Sequence, residues 1–112
     1  PQGMAEAVRQ AVTDAGWDCV DGEIVKDRGK LFVVEVWQPM LSETQWSVLD
    51  YRWGKRIRSA PDPLFCELLA SELADVDLAL HRMKESGALD YPAAAAAQKD
   101  RETILAELQR IR

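Results

Sequence analysis

The chain has 112 residues, 47% hydrophobic and 29% charged, and its 14 Lys+Arg against 19 Asp+Glu give a formal net charge of −5. A chain of this length builds one modest core, and its acidic balance excludes general coating of nucleic acid, which needs a broad basic surface to neutralise phosphates. No apolar run approaches the ~18 residues of a membrane-spanning helix, and no basic-then-apolar leader is seen, so a cytoplasmic protein with no membrane partner is expected.

Pro1, Gln2 and Gly3, ahead of Met4, read as an expression-tag scar, which leaves residues 4–112 as a single small domain. From Met4 to Ala15, the residues Ala5, Val8, Val12 and Ala15 recur at helical spacing and predict an amphipathic helix ended by Gly16. Beyond it, Asp21-Gly22 and Asp27-Arg28-Gly29 are turn signals. They bracket a short strand, Glu23 to Lys26, and precede a long one, Lys30 to Trp37, rich in β-branched and aromatic residues. A three-residue loop ending in Gly29 predicts a hairpin with a bulge, and Trp17 to Val20 is a candidate third strand. In the long strand Phe32, Val34 and Val36 share one face, and Leu31, Val33, Glu35 and Trp37 share the other. Both faces are mostly apolar, so cover on more than one side is expected. A lone two-stranded hairpin is marginal in water and needs helices or another chain against it.

Leu41-Ser42-Glu43-Thr44-Gln45-Trp46 carries a capping box, Ser42 with Gln45, and a hydrophobic staple, Leu41 with Trp46. It predicts a helix over residues 43–59. Ser59 to Pro63 breaks that helix, with Asp62 as the next cap and Pro63 at the first helical position. From there to Glu85 a seam of Cys66, Leu69, Leu73, Val76, Leu80 and Met83 follows heptad spacing, and Gly87 marks its end. Ala93 to Arg112 forms a last helix with Ala97, Ile104, Leu108 and Ile111 on one stripe. The short link between these two helices favours an antiparallel helical hairpin. The fold class is therefore α+β, in the order α-β-β-α-α-α, with a small antiparallel β-hairpin of two to three strands and about four helices.

The stretch YRWGKRIR, residues 51–58, carries Arg52, Lys55, Arg56 and Arg58 with no acid among them. On a helix wheel Trp53 falls inward with Trp46, Leu49 and Ile57, and the cations fall on the outer side or its flank. A solvated outer face is the expectation, aided by the preference of cations for a helix C-terminus. The alternative is an anion or nucleic-acid site made by Tyr51, Arg52, Lys55, Arg56 and Arg58, with Tyr51 stacking on a base.

Other chemistry is sparse. His81 is the only histidine, and a metal ligand or catalytic base needs companions. The two cysteines, Cys19 and Cys66, are far apart, so neither a disulfide framework nor a zinc site is expected. Glu35 follows Asp18, Asp21 and Glu23 in the manner of metal-dependent nucleases, but Trp37 stands where such sites place a lysine. The six glycines form no phosphate-cradling loop. No catalytic residue, metal or cofactor is assigned. Leu64 and Leu78 point away from the heptad seam and nominate a self-association surface.

The reading of the whole is a non-catalytic protein–protein interaction module, not an enzyme. A homodimer is expected, in the manner of a small accessory protein of a phage or other mobile element, and nucleic acid is not an expected partner. The alternative reading is a nucleic-acid-associated regulator that uses the basic helix around residues 52–58.

Overall fold

A computed structural model describes residues 2–112. Its elements are α1 (Gln2–Asp14), β1 (Trp17–Asp27), β2 (Lys30–Pro39), α2 (Val48–Trp53), α3 (Lys55–Ser59), α4 (Pro63–Glu85) and α5 (Pro92–Arg110). The α+β class and the element order match the expectation, with the fourth element, the helix expected over residues 43–59, split into α2 and α3. Gln2 and Gly3 begin α1, and Pro1 lies outside the described residues. The chain divides into two compact units at Leu64/Phe65.

In the first unit β1 and β2 pair antiparallel along their whole length. The turn between them is two residues long, not three. Arg28 (φ 52°) and Gly29 (φ 79°) are both left-handed, the geometry of the tight turn whose twist matches the flanking strands. The bulge lies elsewhere, at Val20, between the Cys19–Trp37 and Asp21–Val36 pairs. Trp17 to Val20 is thus the start of β1 rather than a third strand, and Asp21-Gly22 is not a turn. Gly22 sits where α3 packs on the sheet: a Cβ there would lie 3.3 Å from Arg56 Cβ and 3.5 Å from Ile57 Cγ1.

The register puts Gly22, Ile24, Val33 and Glu35 on one face of the hairpin, and Asp21, Glu23, Val25, Phe32, Val34 and Val36 on the other. The first face carries the core, where Cys19, Ile24, Trp53 and Ile57 are buried. The inward placement of Trp53 and Ile57 agrees with the wheel. Helix α1 departs from its predicted stripe. Val8 and Ala5 are exposed, and Arg9 is buried in their stead.

The predicted start of the next helix is wrong by one motif. Residues 42–47 are not helical, Leu41 is 93% exposed, and no staple forms. The box is made by Ser47 and Asp50 instead. Ser47 Oγ accepts from the Asp50 N–H at 3.1 Å, and Asp50 Oδ2 accepts from the Ser47 N–H at 3.0 Å. The reason is tertiary. Trp46 stacks on Trp37 of β2 (5.6 Å between centroids) and on Tyr51 of α2 (5.1 Å), which ties the irregular segment before α2 to β2. Ser47→Ala is expected to lower stability by about 1 kcal/mol, whereas Ser42→Ala leaves it unchanged; thermal melts of the two variants check this.

In the second unit α4 and α5 form the expected helical hairpin. Asp77 on α4 accepts from Arg101 on α5 at 2.7 Å. The end of α4 is closed by Ala88 N–H donating to Met83 O and Gly87 N–H donating to Lys84 O. Leu69, Ala94, Ile104 and Leu108 are buried, on the predicted stripes or beside them. Glu107 is also buried, held in a bidentate pair by Arg110 at 2.7 and 2.9 Å. The start of α4 is capped as expected, with Asp62 Oδ1 accepting from the Leu64 N–H at 2.7 Å. No helix among the described residues is long and apolar enough to cross a membrane.

Candidate functional site

The basic stretch and the buried arginine meet in the first unit. Helix α2 ends at Gly54, which is buried with φ 102°, and α3 begins at once in a new direction. The change of direction aims the last carbonyls of α2 at α1. Arg9 there donates from one terminal nitrogen to Tyr51 O at 2.9 Å and Arg52 O at 2.8 Å, satisfying helix-end acceptors. Its Nε donates to Glu35 Oε1 of β2 at 2.9 Å. One guanidinium therefore ties α1, β2 and α2 together. Glu35 Oε2 lies 3.8 Å from Cys19 Sγ and 3.1 Å from where a Cβ on Gly54 would stand.

The cations of YRWGKRIR prove to be fasteners as much as a solvated face. Lys55 Nζ donates to Gln45 O at 2.6 Å and lies 5.7 Å from the Trp46 ring centre. Arg56 Nε donates to Cys19 O, beside the bulge in β1, at 3.0 Å. Arg58 pairs with Asp50 at 2.7 Å and also donates to Ser47 Oγ at 3.2 Å, bracing α3 on the start of α2. Arg52 lies over the Trp53 ring at 4.5 Å. Only Arg56 of the four is exposed as a residue; Tyr51, Arg52, Lys55 and Arg58 are half-buried. Tyr51 stacks on Trp46 rather than standing outward. The positive charge is gathered here because a bulged strand, an irregular segment and the start of α2 present two carbonyls and one carboxylate to be tied down.

Burial raises the energy of the Asp50 carboxylate, but the Ser47 amide and then Arg58 outweigh it and hold the pKa below the ordinary carboxylate value. Cys19 shows the opposite balance. Burial first, and then the charge of Glu35, push its thiol up to about 11 from 9.0. Unfolded chain ionises this thiol near pH 9, whereas the folded protein keeps the proton to about 11. Stability is therefore full below pH 9 and is lost as pH climbs toward 11, by up to about 2 kcal/mol. Urea melts at pH 8 and 10.5, with Cys19→Ala as the control that removes the difference, check this. Iodoacetamide at pH 8 should leave Cys19 unmodified until denaturant is added.

The remaining predicted positions are not brought into this site. His81 is exposed, 4.0 Å from Glu85 on the same helix. Leu64 is half-buried and Leu78 is 47% exposed, each on α4. Among the described residues no group of three or more His, Cys, Asp or Glu side chains could hold a metal ion. Arg9 was invisible to the sequence reading. The one available signal was its counter-charge, a lone glutamate on the inward face of an apolar strand.

No family model matches the chain, and no curated protein matches its sequence. Solved structures do resemble it. A Streptococcus pneumoniae protein, proposed to be a tRNA (m1A22) methyltransferase and bound to S-adenosyl-L-methionine, matches with a TM-score of 0.65 at 18% identity, over 97% of this chain and 42% of that one. An uncharacterized protein of Listeria monocytogenes serotype 4b matches with a TM-score of 0.68 at 12% identity, over 94% of this chain and 44% of that one. The chain thus spans less than half the length of the structures it resembles. The reading as a non-catalytic protein–protein interaction module is overturned by these likenesses. The fold is one that a proposed RNA methyltransferase carries. More than half of each neighbouring chain lies beyond the matched part.

A groove of the first unit is lined by Met4, Ala5, Val8 and Val33, with Arg9 and Glu35 engaged by each other.

Proposed function

We propose that the chain forms part of an S-adenosylmethionine-dependent RNA methyltransferase acting on tRNA, and that the residues holding the cofactor lie outside these 112. The observation that carries this reading is the fold likeness across 97% of the chain to a proposed tRNA (m1A22) methyltransferase. The division of the chain supports it. The first unit is a hairpin backed by helices, tied together by Arg9, and the second is a helical hairpin.

Deletion of the segment encoding the chain, followed by mass spectrometry of tRNA nucleosides, tests the reading. The expected result is loss of 1-methyladenosine from tRNA, restored when the segment is returned. An unchanged level overturns the proposal.

A further inference from the structure

Near its end, α5 carries a groove of about 340 Å³ lined by Glu102, Leu105, Ala106, Leu108, Gln109 and Arg112. Leu108 is buried and Leu105 half-buried, while the other four are exposed. The lining is therefore apolar in the middle and charged at both ends, an acid at one and a base at the other. The other charges between them are engaged within the chain, Glu107 with Arg110, and Arg101 next to Glu102 reaches Asp77. Glu102 and Arg112 have no side-chain partner among the described residues. They cannot meet each other in one chain, because the helical chain between them holds them about 15 Å apart. Ile111, just past the helix end, keeps a helical conformation at φ −94° and ψ 0°, so Arg112 stays on the same side as the groove.

A two-fold axis at the level of residue 107 exchanges position 102 with 112, 105 with 109 and 106 with 108, so the six lining positions map onto themselves. An isologous contact between identical chains needs this self-complementarity. We propose that α5 docks antiparallel on α5 of a second copy of the chain through this groove. Glu102 then faces Arg112 of the second copy, and Arg112 faces its Glu102, which makes two ion pairs between chains. Between these pairs Leu105 lies against the aliphatic stem of the second copy's Gln109. Ala106 leaves room for the second copy's Leu108, small against large, as helices packed ~8–10 Å apart require. A parallel pairing would instead set Glu102 on Glu102 and Arg112 on Arg112, which repel. The surface differs from the one the sequence nominated, since Leu64 and Leu78 lie on α4 and do not line the groove. The contact uses no residue outside α5 and its end, so it stands apart from the methyltransferase reading. It is only about three turns long, and a weak dimer is expected, with a Kd of about 10–200 μM.

Sedimentation equilibrium of the 112-residue chain, from about 1 to 500 μM, tests the contact. The parent should dimerise. Glu102→Arg and Arg112→Glu should each weaken the dimer at least ~10-fold, because each turns both ion pairs into repulsions. Mixed in equal amounts, the two variants should recover the parental association as a heterodimer, since each reversal complements the other. Both side chains are exposed, so each variant should keep the parental far-ultraviolet circular dichroism, and recovery on mixing shows in addition that both are folded. A parent that stays monomeric to about 500 μM, variants that associate as the parent does, or a mixture that fails to recover overturns the inference. A dimer that only Leu64→Asp with Leu78→Asp dissociates belongs to α4 and overturns it too.

Discussion

Glu35→Ala is expected to lower the free energy of unfolding by about 3–5 kcal/mol, a large share of the stability of a small protein. The side chains of Arg9 and Glu35 are 4% and 13% exposed, so removal of the carboxylate leaves a guanidinium charge out of water without its counter-ion. The energy lost is the cost of that unpaired charge rather than the value of the pair. Glu35→Gln keeps an acceptor for Arg9 Nε and should lose less. Arg9→Met with Glu35→Leu removes both charges and should recover part of the loss. The recovery is incomplete because Arg9 also satisfies Tyr51 O and Arg52 O at the end of α2, and methionine cannot. Urea unfolding followed by tryptophan fluorescence measures all three. A loss under about 1 kcal/mol for Glu35→Ala would show that water reaches the pair and that α1 is not pinned to the sheet.

Gly54→Ala should cost about 2–3 kcal/mol, combining a strained backbone with a displaced neighbour. Gly54 stands at φ 102°, a conformation that side-chain-bearing residues rarely adopt, and its new Cβ would lie 3.1 Å from both Glu35 Oε2 and Ile57 Cδ1. Ile57 is buried and cannot swing away, and Glu35 can move only by loosening its grip on Arg9. The two substitutions therefore share one mechanism. Gly54→Ala combined with Glu35→Ala should cost less than the sum of the singles, by about 0.5–3 kcal/mol, the range for residues in contact. Strict additivity would place the strain in the backbone alone.

Much of the architecture is written locally. The run of β-branched and aromatic residues from Lys30 to Trp37 identifies β2, and both of its faces are mostly apolar in the sequence as they are in the structure. Asp62-Pro63 and Gly87 mark the ends of α4 because capping is an affair of a few adjacent residues. The errors fall where a distant contact outvoted a local preference. The segment from Ser42 to Gln45 is a sound capping box that is not used, since Trp46 gains more by stacking between Trp37 and Tyr51 than by starting a helix. The Asp21-Gly22 pair reads as a turn yet runs through β1, since Gly22 is the gap into which α3 fits.

What the sequence determined by itself is the set of elements and their order, because periodicity, caps and breakers act within a turn or two of the chain. It also made both faces of β2 apolar, although the structure leaves Phe32, Val34 and Val36 about half exposed. Only the tertiary structure decided which polar groups meet. Arg9 and Glu35, twenty-six positions apart, form an inward ion pair, and the cations of YRWGKRIR turn from a candidate anion grip into ties for Gln45, Cys19 and Asp50. Such pairings depend on where the chain returns on itself, and no local propensity encodes that return.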